Sequence, residues 1–178
     1  VIRSFDGSQN VTADLTNDEI ITVTNGNITI QVNREDGHIS AFRADGSSLI
    51  REQSYGTSFK ERSHVNEYDR FTIRSTFALD KDEYIFGMGQ IQDDKLNRRG
   101  CTLDLEQWNM RVCIPYFQSS KNYGLFWDNY SPSTFSDNYV DTYFESTGSE
   151  IDYYILAGDD SQGVMTAMRW LTGDARMM

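Results

Sequence analysis

The chain has 178 residues, the length of one domain or of one domain plus part of a second. With 27 acidic and 16 basic residues its net charge is −11, which repels phosphates, disfavours nucleic acid and anionic membranes as partners, and favours a neutral or cationic ligand. Aromatic residues make up 13%, too many for a disordered acidic chain. No apolar run approaches the ~20 residues of a membrane span.

Turn signals divide the first fifty residues into short strands. Asn25-Gly26 lies between two segments rich in β-branched residues, and Asn-Gly is a strong hairpin signal because both turn positions need positive φ. Asp-Gly pairs follow at 36–37 and 45–46, a spacing typical of antiparallel sandwiches. We therefore predict a β-meander over this region.

The middle of the chain is predicted to continue as strands. Residues 51–69 are polar with little periodicity and are expected to form loop or irregular strand. Phe71 and Ile73 alternate with polar neighbours, which predicts a half-buried strand. Further strands are predicted at 84–89, 100–105, 111–118, 123–128 and 151–157. We expect 100–105 and 111–118 to pair around a turn at 106–109, and the apolar run 151–157 to be buried on both faces.

Only the end of the chain has a helical period. Asp159, Asp160 and Ser161 offer N-cap oxygens, and Gly173 suits the position after the helix. One helical face carries Val164, Met165, Met168 and Leu171. This stripe either contacts a further domain or packs on the sandwich. We divide the chain into a β-sandwich, 1–159, and a segment 160–178 that holds the helix and the start of a linker.

Motifs for metal, nucleotide and triad chemistry are missing from the sequence. Zinc needs three or four converging ligands, whereas His38, His64, Cys101 and Cys113 contain no closely spaced pair. There is no G-x-S-x-G motif, and the G-x-G at 87–89 lacks both a third glycine and a surrounding βαβ unit. We expect no metal or other cofactor, and we expect both histidines to be solvated.

The two cysteines are symmetric about residue 107, so a tight hairpin would place Cys101 opposite Cys113. A cross-strand disulfide is one outcome. Two buried free thiols are favoured, because cross-strand disulfide geometry is usually strained.

Acidic residues are abundant enough to supply the carboxyl pair, about 5 to 10 Å apart, that glycoside hydrolysis needs. The candidates are Asp93, Asp94, Asp128, Asp137, Asp141 and Glu145. Charges on a β-rich surface more often form solvated faces that keep sheet edges from pairing. We expect that role for most of them.

Two clusters combine aromatic rings with side-chain amides. Gln107, Trp108 and Asn109 occupy the predicted hairpin tip, and residues 127–130 form the second cluster. Sugar C–H faces stack on aromatic rings, while amides donate and accept hydrogen bonds to hydroxyls. Sugar binding is the functional interpretation, and core or interdomain packing is the alternative for each cluster.

Five segments carry wording shared with one enzyme family. They are YIFGMGQ at 84–90, LDLEQWNM at 103–110, IPYFQSSKNYGLFWDN at 114–129, YYILAG at 153–158 and WLTG at 170–173. Together they resemble the N-terminal β-sandwich of glycoside hydrolase family 31, most closely its α-xylosidase branch. The resemblance implies an all-β, antiparallel, galactose-mutarotase-like supersandwich with one short C-terminal helix.

In the parent enzyme, the resemblance implies a following (β/α)8 barrel with an aspartate nucleophile and an aspartate acid/base for a retaining mechanism. Neither aspartate's motif occurs here, and a barrel needs about 250 residues, so this fragment alone is expected to be inactive. In the family a sandwich loop reaches over the barrel mouth. The matching positions are Glu106, Gln107, Trp108 and Asn109, which implies substrate contact.

The resemblance therefore implies an accessory domain that packs on its catalytic barrel and lends a loop to the pocket of an α-xylosidase or α-glucosidase. The expected substrate is a xyloglucan-type oligosaccharide, and analogy with polysaccharide-degrading relatives favours export. Two other classes remain open. One is a stand-alone carbohydrate-binding module, and the other is a mutarotase-like isomerase, for which His38 and His64 would have to converge.

Overall fold

The computed structural model describes residues 11–62 and 70–173, and within them it contains fourteen β-strands and one α-helix. The strands are β1 Val11–Asp14, β2 Ile20–Asn25, β3 Ile28–Asn33, β4 Ile39–Arg43, β5 Ser48–Glu52, β6 Ser58–Glu61, β7 Phe71–Ala78, β8 Ile85–Gln90, β9 Thr102–Leu105, β10 Val112–Ser119, β11 Tyr123–Trp127, β12 Ser133–Asp137, β13 Thr142–Gly148 and β14 Tyr153–Ala157. The helix is α1 Ser161–Thr172.

The strands form two antiparallel sheets, which confirms the predicted all-β sandwich. The larger sheet has ten strands in the order β1-β2-β3-β4-β5-β7-β13-β12-β9, with β6 also paired to β7. The smaller sheet has four strands in the order β14-β11-β10-β8. The larger sheet therefore extends well beyond the smaller one.

The meander predicted for the first fifty residues is confirmed as strands β2 to β5. The first hairpin is where Asn-Gly predicted it, but its two-residue loop is Gly26-Asn27, one position later. Gly26 has a positive φ of +56, whereas Asn27 does not have positive φ. Glycine at the first loop position is the pattern of a type II′ turn, which needs positive φ only there.

Aromatic side chains of both sheets meet in the core. Phe117 of β10 stacks on Phe144 of β13 with ring centroids 6.2 Å apart, and Trp127 of β11 stacks on the same ring at 5.6 Å. All three are fully buried. These contacts across the sandwich hold the smaller sheet over β7, β12 and β13.

The predicted pairing of 100–105 with 111–118 is wrong. Strand β9 pairs with β12 in the larger sheet, while β10 pairs with β8 and β11 in the smaller sheet. The loop between them therefore crosses from one sheet to the other, and Leu105 and Cys113 on either side of it are both buried in the core. Both cysteines are buried and free, which confirms the favoured outcome.

Two strands, β12 and β13, were not predicted, and a third was predicted only as loop or irregular strand. Strand β6 lies in the segment expected to be loop or irregular strand, of which residues 63–69 are outside the described residues. Strands β12 and β13 form the hairpin beside β7. Their buried positions alternate phenylalanine with small polar residues, namely Ser133, Ser136, Thr142 and Ser146, so their apolar periodicity is weak.

The predicted helix is confirmed, with Asp160 accepting from Gly163 N as N-cap and Gly173 at φ +91 after the last turn. It packs on the outer side of β11 and β14, where Val164 and Leu171 are buried. Met165 is 53% exposed, so its assignment to the buried face is wrong. The stripe thus has a place on the sandwich itself. The division into 1–159 and 160–178 stays a prediction.

The G-x-G of β8 has a structural role. Gly87 has φ +127 and Gly89 has φ +91, and an added Cβ would lie 2.5 Å from Tyr116 O and 2.1 Å from Val112 O respectively. The pairing of β8 with β10 is irregular between Cys113 and Phe117. Glycine lets the two backbones approach this closely.

Candidate functional site

The segment between β9 and β10, residues 106–111, forms a braced loop that ends in a tight turn. Arg111 N donates to Trp108 O at 3.2 Å, which closes the turn. Met110, the third turn residue, has φ +70. A type II turn needs positive φ at that position and usually has glycine there, so this turn carries backbone strain, which is often found at functional sites.

Two sets of hydrogen bonds hold the base of this loop. The Gln107 side chain donates through Nε2 to Cys113 O at 3.0 Å and accepts at Oε1 from Cys113 N at 3.3 Å, as a neighbouring strand would. The Arg111 guanidinium donates to Asp104 O at 3.1 Å. We call the Gln107–Cys113 pair the latch. No sequence motif marks it, because a side chain that imitates a strand partner has no characteristic spacing.

The tip of the loop is left free for contact. Trp108 is 63% exposed and Met110 is 69% exposed. Asn109 is exposed as well, and its side chain makes no hydrogen bond to any residue in 11–62 or 70–173. A rigid aromatic ring beside a free amide offers stacking and hydrogen bonds to a sugar at small entropic cost.

A pocket of about 290 Å³ lies at the base of the same loop. Glu106 and Gln107 line it from one side, and Asn129, Tyr130 and Pro132 line it from the other. The structure thus brings parts of the two predicted clusters together. Trp108 and Asn109 do not line this pocket.

The second cluster is divided between core and surface. Trp127 is fully buried, and its Nε1 donates to Ser146 Oγ at 2.8 Å, so the packing alternative holds for this ring. Asn129 accepts at Oδ1 from the backbone and hydroxyl of Ser131 and shapes the following turn. Tyr130, by contrast, is 93% exposed.

Most of the candidate carboxylates serve structure. Asp137 is buried against Arg99, and its Oδ2 also accepts from Gly100 N and Tyr139 N, which corrects the expectation that it is solvated. The other pairs are Asp93 with Arg98, Glu145 with Arg74, and Asp141 with Gln53. Burial, and then the neighbouring Asp152, raise the pKa of Asp128.

His38 is half-buried rather than solvated, with Nδ1 2.6 Å from Asp36 Oδ1. His64 lies outside the described residues. Within 11–62 and 70–173, no three His, Cys, Asp or Glu side chains are grouped as metal ligands would be. In the same residues, no helix has the length and apolar character needed to cross a membrane.

The family follows from comparison with known proteins. Residues 3–136 match the family model described as the glycosyl hydrolase 31 N-terminal galactose mutarotase-like domain. The chain belongs to this family. The resemblance read from the five segments is thereby confirmed, and the described sandwich is a GH31 N-terminal domain.

Two curated relatives of this GH31 domain are α-xylosidases. That of Saccharolobus solfataricus is 29% identical over 94% of this chain and 24% of its own length. Alpha-xylosidase A of Aspergillus niger is 26% identical over 86% of this chain and 23% of its own length. The chain therefore spans about a quarter of the curated relatives it matches.

A solved structure gives the same assignment. The GH31 α-xylosidase from a soil metagenome, complexed with xylose, has a TM-score of 0.86 and 25% identity over 99% of this chain and 29% of its own. The supersandwich of this GH31 domain is thus shared with an α-xylosidase that binds xylose.

Proposed function

We propose that this domain is the N-terminal part of a retaining α-xylosidase that acts on xyloglucan-type oligosaccharides, where it packs on a (β/α)8 barrel and presents the Trp108 tip at the substrate pocket. The observation that carries the proposal is the loop at 106–111. It is braced at its base, strained at Met110 and exposed at Trp108 in a chain that belongs to GH31.

The tip would act by binding and not by proton transfer. Trp108 and Asn109 carry no group that titrates near neutral pH, so their contribution is stacking and hydrogen bonding near the leaving-group side. The nucleophile and the acid/base of a retaining mechanism would both come from the barrel, because the candidate pair-forming carboxylates named above are largely engaged in structural contacts. Gln107, whose amide is held in the latch, would position the tip.

The activity is tested with an aryl α-xyloside as substrate and an aryl α-glucoside for comparison. A protein extended through the barrel should hydrolyse the xyloside faster than the glucoside, and the 178-residue chain should hydrolyse neither. Turnover by the 178-residue chain would refute the accessory role. Faster hydrolysis of the glucoside would assign the parent to α-glucosidases instead.

A stand-alone carbohydrate-binding module is the second candidate, and the pocket beneath the loop favours it. Tyr130 is 93% exposed and lines that pocket beside Glu106. Binding of xyloglucan oligosaccharides to the 178-residue chain by calorimetry, abolished by Tyr130→Ala and not by Trp108→Ala, would support this candidate over the first.

A further inference from the structure

An open trough runs along the outermost strand of the smaller sheet. It has a volume of about 420 Å³ and is lined by residues 151–155 at β14 and by Val23, Ile28, Ile30 and Ile39 of the larger sheet. Five consecutive residues line it on the β14 side, so the trough follows the edge of that strand and not only one of its faces.

The floor of the trough is the inner face of the overhanging part of the larger sheet. Val23 pairs with Ile30, and Ile30 pairs with Ala41, so these side chains share one face. Ala41 reaches full burial, whereas Val23 and Ile30 are only half-buried. The opposite face carries polar residues such as Thr22 and Gln31. This alternation of apolar and polar residues is typical of a strand that buries one face in a core.

The edge of β14 has unpaired backbone groups. Asp128 N donates to Asp152 O, and Gly158 N donates to Asn122 O, so the even-numbered residues of this strand bond to β11. In an antiparallel ladder the odd-numbered residues then direct their N–H and C=O groups outward. These are Tyr153, Ile155 and Ala157. No residue within 11–62 or 70–173 hydrogen-bonds to the backbone N–H or C=O groups of these three residues, although the Tyr153 hydroxyl donates to Glu52 Oε1 inside the sandwich.

From these observations we infer that the trough accepts one β-strand, which is contributed by the same polypeptide outside residues 1–178. This strand pairs with β14 in either direction and buries Val23, Ile28 and Ile30. This inference rests on the proposed function, in which the domain is one part of a longer protein. An open row of backbone donors and acceptors beside an apolar floor selects a strand as occupant. The chain spans about a quarter of its curated relatives, so such a protein has residues to supply it.

The charge around the trough points to the side chains that this strand would carry. Asp152 lines one end beside Asp128, and burial together with this neighbour raises the pKa of Asp128. A lysine or arginine at that end of the strand would relieve the repulsion. Apolar residues at alternate positions would fill the trough over Ile28 and Ile30.

Amide hydrogen exchange at single-residue resolution tests the inference, with the 178-residue chain and the extended protein compared. The amides of Tyr153, Ile155 and Ala157 should exchange on the order of tenfold or more slowly in the extended protein. Those of Tyr154 and Leu156 are the internal control and should be protected in both. Equal protection of the odd-numbered amides in the two forms would overturn the inference.

A matched pair of variants gives an independent readout. Ile28→Lys places a charge in the trough, while Gln31→Lys places it on the opposite face of the same strand. Ile28→Lys should lower the Tm of the extended protein by several degrees more than that of the 178-residue chain, because only the former buries the charge. Gln31→Lys should change the Tm of both forms by the same small amount. Equal effects of Ile28→Lys in both forms would contradict the inference.

The occupant is separated from a second copy by measuring molar mass with light scattering. A 178-residue chain that dimerises, and whose dimer is lost with Ile28→Lys, would show that another copy fills the trough and would overturn the inference. None of these readouts uses a substrate. An extended protein inactive on every α-xyloside would therefore refute the proposed function without changing the outcome for the trough.

Discussion

The latch between Gln107 and Cys113 should stabilise the domain as well as position the tip. Gln107→Ala removes both hydrogen bonds and leaves the backbone N–H and C=O of Cys113, a residue only 8% exposed, without these partners. Leaving a buried polar group unsatisfied costs about 1–3 kcal/mol. Because the loop can relax and admit water to one of the two groups, we expect a total loss near the same range, about 1–3 kcal/mol.

For a domain of this size, a loss of 1 kcal/mol lowers Tm by roughly 2–4 °C, so Gln107→Ala should lower it by roughly 2–12 °C. The change is measured by differential scanning calorimetry, with urea unfolding as the second method. Asn109→Ala, two residues away, is the control. Its side chain is exposed and makes no hydrogen bond within the described residues, so its effect should stay within about 0.5 kcal/mol.

The two variants also separate a latch from a direct sugar contact. If Gln107→Ala left Tm unchanged and raised KM of the extended protein, Gln107 would be a substrate ligand and the latch argument would be refuted. Gln107→Glu sharpens the test, because it keeps an acceptor for Cys113 N–H and loses the donor to Cys113 C=O. It should fall between the wild type and Gln107→Ala in stability.

Three further predictions concern the sandwich. Asp137→Ala should lower the free energy of unfolding in urea by about 3–5 kcal/mol, because Arg99 stays buried without its partner. Glu145→Gln changes a half-exposed ion pair and should lower it by less than about 1 kcal/mol. Equal losses would contradict the assignment of Asp137 to a buried ion pair. Glu83 lies just before β8, is buried, and accepts hydrogen bonds from Ser119 Oγ and Tyr123 OH. Burial raises the pKa of Glu83, so its contribution to the free energy of unfolding is fully present below the ordinary pKa and is lost as pH rises through the raised value. As pH rises above 4.5, the free energy of unfolding should therefore fall less for Glu83→Gln than for the wild type. Parallel pH profiles of the two proteins would contradict this. Thiol titration of the unfolded, unreduced protein should find two free thiols, and finding none would mean a disulfide.

Local signals in the sequence identified the elements whose structure is decided locally. Asn25-Gly26 gave the first hairpin because glycine relieves a steric restriction at one position. Asp160 and Gly173 predicted the two ends of the helix, because each satisfies free backbone groups of the helix within a few residues. These features need no knowledge of distant parts of the chain.

Pairing between distant strands could not be read in the same way. Residues 100–105 and 111–118 look like a hairpin because a turn lies between them, yet each pairs with other strands and the loop crosses between sheets. Strand β13 was missed because Thr142 and Ser146 take buried positions that periodicity assigns to apolar residues. Their burial depends on partners across the sandwich, such as the hydrogen bond from Trp127 to Ser146.

The chemistry of residues 107–109 indicates the candidate site from the sequence. How the loop is built could not be predicted from the sequence. An aromatic ring between two amides predicts sugar contact for residues 107–109, and the structure exposes Trp108 and Asn109 while engaging Gln107. The sequence treats the three residues alike. Only the geometry separates the amide that holds the loop from the ring that the loop presents, and their role as substrate contacts stays a prediction.

The central claim, that the tip binds substrate, is tested most directly by steady-state kinetics of the extended protein on an aryl α-xyloside and on a xyloglucan oligosaccharide. Trp108→Ala should lower kcat/KM by about two- to twelvefold, since a stacked ring contributes about 0.5–1.5 kcal/mol beyond its buried area. Tyr84→Ala is the control, an exposed aromatic at the opposite end of β10, roughly 25 Å away. Equal kinetics for Trp108→Ala and Tyr84→Ala would contradict the claim.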